Sequence, residues 1–117
     1  MNDSSIKNYN LMCLVGEMKH DHTWWEKAWE LSDGKCAKAM RNLGRYYFFE
    51  NKFIESAECF EKGLTINKIY PDTWFTLGCA YMRLENWKSA IFSFGTVVSI
   101  DSRKTEAWAN MANCYIV

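Results

Sequence analysis

The sequence predicts an all-α fold of about seven helices arranged as antiparallel pairs, and three observations carry that prediction. A motif recurs every 34 residues, Pro71 is the only proline in 117 residues, and 49% of the residues are apolar and 16% aromatic. Proline breaks helices and is common in loop-rich β proteins, so its scarcity favours packed helices. The length suits one ordinary domain with a modest core.

The elements follow in chain order. Residues 1–34 hold a degenerate pair, with one helix around Leu11–Gly16 and a second over Trp24–Leu31. Placing Gly16 on Gly44 brings Trp25 and Ala28 onto the ring and small-residue positions of the later repeats, but the unit is then only 28 residues long. Between these helices His20, Asp21 and His22 read as a loop in which Asp21 caps the next helix, because no third ligand stands at metal-binding spacing.

A full repeat spans 35–70, with helices at 35–49 and 53–66; a second spans 71–104, with helices at 71–84 and 87–100. Residues 105–117 hold a last helix from about 104, whose own second helix is missing. The alignment needs no gap: Met40, Leu43, Gly44 and Tyr47 fall on Trp74, Leu77, Gly78 and Tyr81, then on Trp108, Met111, Ala112 and Tyr115. Phe53 falls on Trp87, Ser56 on Ala90 and Phe60 on Phe94. Gly44 and Gly78 allow the two helices of a pair to approach closely, and Leu43, Tyr47, Leu77 and Tyr81 face the partner helix. Asn51 and Asn86 stand where helix N-caps belong, Pro71 suits a first turn, and Asp72 suits the positive end of the helix dipole. An array normally ends in a polar capping helix, and Met111–Val117 is not polar enough, which predicts a fragment boundary; the alternative is that this helix itself serves as the cap.

The 14 basic and 14 acidic residues cancel, which removes the overall field that steers a chain onto nucleic acid or an anionic membrane. No apolar run approaches the roughly 18 residues of a membrane span, and the start from Met1 to Ser5 lacks the features of a signal peptide. A cytoplasmic location is therefore expected, with the nucleus as a further one. Cys13, Cys36, Cys59, Cys79 and Cys114 are odd in number and widely scattered, without a C-x-x-C pair; they read as reduced structural thiols, with no metal and no cofactor. Nor does any glycine-rich phosphate loop or paired-carboxylate arrangement point to an enzyme.

Trp74, Leu77, Gly78, Tyr81, Ala90 and Phe94 match the signature W-x2-L-G-x2-Y followed by A-x3-F, with Ser102 in the usual place of proline. The chain thus resembles the tetratricopeptide repeat (TPR) family, which implies that the antiparallel pairs stack into a solenoid, a right-handed superhelix. More particular strings, Trp25–Ser32, Glu58–Glu61, Trp74–Tyr81 and Glu106–Asn110, are similar to the family called tetratricopeptide repeat protein 27. That resemblance implies a piece of a longer intracellular protein that helps to assemble or mature other proteins, linked to chaperone and spliceosomal assembly and, in fungi, to cell-wall integrity.

The family's first helices line a concave groove for protein partners. In this chain the corresponding residues are Lys38, Arg41, Asn42, Arg45 and Phe49, then Phe75, Thr76 and Arg83, with Asn110 on the last helix. Lys38, Arg41 and Arg45 form a basic row on one helix face, which an acidic peptide would match; the bland alternative is a solvated face or ion pairs to neighbouring repeats. The carboxylate clamp by which many such modules hold chaperone tails is not matched: Arg41 and Arg45 are basic, but Thr76, Glu106 and Asn110 occupy its other places. Two other readings are a structural spacer without a groove ligand and a helical-repeat RNA binder, the latter disfavoured by the balanced charge.

Overall fold

The computed structural model describes residues 8–116; the start from Met1 to Ser5, and Val117, lie outside them. Among the described residues there are seven helices and no strand: α1 Tyr9–Lys19, α2 Thr23–Leu31, α3 Ala37–Phe49, α4 Phe53–Ile66, α5 Pro71–Arg83, α6 Trp87–Ile100 and α7 Thr105–Tyr115. Each packs on the next in sequence, and α1 with α3 and α3 with α5 also touch. The result is a rod of stacked pairs, 56 × 26 × 22 Å.

Glycine against phenylalanine sets the spacing within each regular pair. A Cβ at Gly44 would lie 2.6 Å from the Phe60 ring, and one at Gly78 would lie 2.7 Å from the Phe94 ring. Both rings are fully buried. In the first pair Trp25 plays the phenylalanine's part: a Cβ at Gly16 would meet its indole nitrogen at 2.7 Å, and that nitrogen donates to the carbonyl of Cys13 at 3.0 Å. Trp25 follows its glycine by only nine residues, against 16 in the regular pairs, which is why the unit is short. Ala28 is buried like Ser56 and Ala90, but Trp25, aligned with Phe53 and Trp87, instead makes the contact on glycine that Phe60 and Phe94 make in the regular pairs.

The conserved geometry of the repeat extends to its loops. The indole of Trp74 donates to the carbonyl of Lys68 at 2.8 Å, and 34 residues later Trp108 does the same to Ser102 at 3.0 Å. Both α3 and α5 end in a turn whose residue after the cap is left-handed, Asn51 at φ 62° and Glu85 at φ 58°. The following amides, Lys52 and Asn86, return to the carbonyls of Tyr47 and Tyr81, each at 2.9 Å, which ties off the exposed helix end.

Three local expectations shift. Asn51 is the left-handed turn residue, and Lys52 occupies the N-cap place of α4; Asn86 does cap α6, accepting from the Ser89 amide at 3.3 Å. Helix α3 starts at Ala37 rather than 35, because the Ser32 hydroxyl accepts from the amides of Lys35 and Cys36 at 3.1 and 3.0 Å and holds them in a non-helical loop. Helix α5 stops at Arg83, with Leu84 as its C-cap. Pro71 opens α5, with Asp72 in its first turn.

Candidate partner-binding surface

The first helices of successive pairs touch along one side of the rod, and the basic row of α3 lies there. The three cations meet different environments. The Lys38 ammonium stands 4.0 Å from a Glu17 carboxylate oxygen on α1. The same oxygen accepts from the Asn42 side-chain amide at 2.9 Å, and Arg45 donates in turn to the Asn42 carbonyl oxygen. Asn42 is 3% exposed, a bridge between helices rather than an open groove contact. Arg41 lays its guanidinium over the Tyr70 ring, 3.8 Å from the centroid, a stacking that leaves its N–H edge free to donate.

Among the described residues neither Arg41 nor Arg45 makes an ion pair. Burial, then the like charge of Arg41, pushes Arg45 down from the usual arginine range, opposed by the carboxylates of Glu17 and Asp72. Beside Arg45 a hollow of about 420 Å³ is lined by Glu17, His20, Asn42, Tyr46 and Phe49. Phe49 is 77% exposed there. Further along, a smaller hollow of about 230 Å³ lies between α5 and α7, lined by Asp72, Phe75, Thr76, Lys104 and Glu106.

The other candidates are dispersed. Phe75 packs edge-on against the buried Phe94 ring at 5.4 Å. The Thr76 hydroxyl donates to the Asp72 carbonyl at 3.1 Å. Arg83 sits over the Phe53 ring at 5.0 Å. Asn110 is half-buried on α7 and lines neither hollow. Glu17 is the residue the groove assignment left out. Its signal was available, since the Gly16-on-Gly44 alignment puts Glu17 on Arg45, at the same register of the preceding helix.

Elsewhere, Asp21 accepts from the Thr23 amide and hydroxyl at 3.1 and 2.7 Å, fixing the entry to α2. His22 stacks on Tyr46 with 4.2 Å between ring centroids. Cys13 and Cys36 are buried with their sulfurs 3.9 Å apart. Burial, then the neighbouring Cys36, pushes the Cys13 thiol up to about 12, and burial raises Cys59 to about 11; such thiols hold little thiolate at neutral pH. No helix among the described residues is long and apolar enough to cross a membrane.

The tetratricopeptide repeat model matches residues 37–70 and 71–104. A TPR repeat-containing protein of Schizosaccharomyces pombe is 33% identical over 109 residues, covering 93% of this chain and 13% of that protein. A tetratricopeptide repeat protein 27 homolog of Dictyostelium discoideum is 38% identical over 75 residues, 64% of this chain and 9% of that one. The chain thus spans about an eighth or less of these relatives. Among solved structures, YrrB, described as a TPR protein with an unusual peptide-binding site, superposes with a TM-score of 0.76 at 28% identity, over 93% of this chain and 56% of that one.

Proposed function

Because the chain belongs to the tetratricopeptide repeat family, a family of protein-interaction scaffolds, we propose that its inner face binds an acidic peptide or helix of a partner protein. The observation that carries it is the pair of guanidiniums one turn apart on α3, neither in an ion pair among the described residues, with Arg45 beside the hollow edged by the exposed ring of Phe49 and Arg41 stacked on Tyr70 in the neighbouring hollow. A carboxylate arriving there gains charge-assisted hydrogen bonds and relieves the repulsion between two like charges. Phe49 then offers apolar contact. Lys38 and Asn42 act through Glu17, holding α1 against α3 and so shaping the rim. Phe75, Thr76 and Arg83 extend the same face along α5, and Asn110 along α7.

On this proposal the segment acts without catalysis, cofactor or metal, in the cytoplasm, in the chaperone-linked assembly of protein complexes that the resemblance to tetratricopeptide repeat protein 27 implies. Glu106 and Thr76 stand where the standard clamp for chaperone tails needs a cation and an amide, so the ligand differs from such a tail.

The test is fluorescence anisotropy with a labelled Asp/Glu-rich peptide at low salt, against a Gln/Asn-rich control. The acidic peptide should bind more tightly, and the Arg41→Glu/Arg45→Glu variant should weaken it by about tenfold or more with unchanged helical content. Equal binding by wild type and variant would remove the basic row from the function.

A further inference from the structure

The opposite side of the rod carries a second and larger concavity. Where α4 and α6 flank α5, an open groove of about 770 Å³ runs along the outer face. Its floor is Trp74, Leu77 and Tyr81, three, four and seven residues apart on α5, with Leu64 beside them. At its edges stand Phe92, 67% exposed, and Ile69, 75% exposed. Helix α6 holds one charged residue, Lys88, in 14. Its Ala90, Phe94 and Val97 are buried against α5 and α7, whereas Phe92 and Ile100 are left exposed on the groove side, an apolar patch of the kind that marks a contact site.

The chemistry of the walls selects the shape of what covers it. Both walls are helices whose backbone groups are already paired, and three of the hydroxyls turn inward: Thr65 donates to the Glu61 carbonyl at 2.7 Å, Ser93 to the Ser89 carbonyl at 3.0 Å and Thr96 to the Phe92 carbonyl at 2.9 Å. An extended peptide would lose water from its own amides and find few partners, with the Tyr81 and Ser89 hydroxyls the remaining ones in the lining. A helix brings its backbone bonds with it and presents only side chains.

Charge selects the ends: the lining holds two lysines and one carboxylate, Glu61 on α4, which makes no ion pair with either lysine. Lys68 lies at the Trp74 end, its carbonyl bonded to that indole. Lys88 lies at the other end, just past the turn that closes on the Tyr81 carbonyl. Among the described residues neither lysine makes an ion pair. The wall from Lys88 to Ile100 is about 18 Å long at 1.5 Å per residue, room for roughly three helical turns. A second copy of the chain is a poor match. The free apolar seam of α1, Leu11, Leu14 and Met18, runs into Lys19, and Glu106 in the first turn of α7 stands only two residues after the N-cap Lys104.

We propose that this outer groove docks an amphipathic helix of a partner protein, about three turns long, with an apolar seam and a carboxylate at each end. The site is separate from the inner face, and either can fail without the other. The probe is a synthetic helix of about 14 residues, with leucines spaced three and four apart and glutamates at both ends, against a peptide of the same composition with its leucines scattered round the helix. By fluorescence anisotropy the patterned peptide binds at least about tenfold more tightly, and Phe92→Asp removes that preference. The exposure of Phe92 keeps this change compatible with folding, which circular dichroism checks. Lys68→Glu/Lys88→Glu loses the glutamate-ended helix and gains a lysine-ended one, while Arg41→Glu/Arg45→Glu binds both as wild type does. Equal affinity for the patterned and scattered peptides overturns the proposal, as does Phe92→Asp without effect. A dimer that forms with rising concentration in sedimentation and vanishes in Phe92→Asp would give the groove to a second copy and overturn it equally.

Discussion

Gly78 and Phe94 are a single mechanical element divided between two helices. With the ring fully buried and 2.7 Å from where a Cβ would stand, Gly78→Ala forces the helices of the pair apart or tilts the ring out of its rotamer. The expected loss is about 1–3 kcal/mol, read as a lower midpoint in urea unfolding. Gly95 is the control. The nearest atom to its added Cβ is the Met111 sulfur at 3.9 Å, so Gly95→Ala should raise stability by up to about 1 kcal/mol through helix propensity alone. If both substitutions cost the same, close approach is not the reason for glycine at 78. The third repeat already departs here: Ala112 stands where Gly44 and Gly78 do, so whatever packs on α7 at that point cannot bring a phenyl ring as close.

The turns that close α3 and α5 are equivalent elements with different residues in the same strained conformation. Glu85 at φ 58° lacks the short side chain that lets Asn51, at φ 62°, tolerate the left-handed region. Glu85→Gly should therefore raise the melting temperature, by about 1 kcal/mol of stability, and Asn51→Gly by less. Both positions are exposed, which keeps packing out of the comparison; a larger gain at 51 than at 85 would refute the strain account. This pairing also explains why Asn51 misled as a cap. Asparagine is favoured both at helix starts and in left-handed turns, and only the backbone angles separate the two uses.

Stacked pairs that touch chiefly their neighbours make the whole molecule a chain of couplings rather than one core. The first pair is held by Cys13, Trp25 and Ala28 against Ala39, Met40 and Leu43, and the last by Ala90, Phe94 and Val97 against Ala107 and Cys114. Trp25→Ala removes the indole that packs on Gly16 and bonds to Cys13, and should cost about 3–5 kcal/mol locally. Native-state hydrogen exchange should then show α1 and α2 losing protection while α5 and α6 keep theirs. Uniform loss along the chain would mean a single cooperative core. The inner and outer faces divide along the same logic, since the basic row lies where first helices meet and the apolar groove lies where second helices stand apart.

By itself the sequence determined the helix pairs, their 34-residue register and the close helix contacts at Gly44 and Gly78, while the structure supplied the rings that fill them. Those contacts join residues 16 apart, within a unit whose periodicity is local and therefore readable. The tertiary structure alone decided what the charged and exposed residues do. Glu17 reaches Asn42 across 25 residues, Arg41 finds Tyr70 and Arg83 finds Phe53, and α4 and α6 leave an open groove over Trp74, Leu77 and Tyr81. Each depends on the angle at which one pair stacks upon the next. That angle is set by the packing of whole faces, and no spacing along a single helix encodes it.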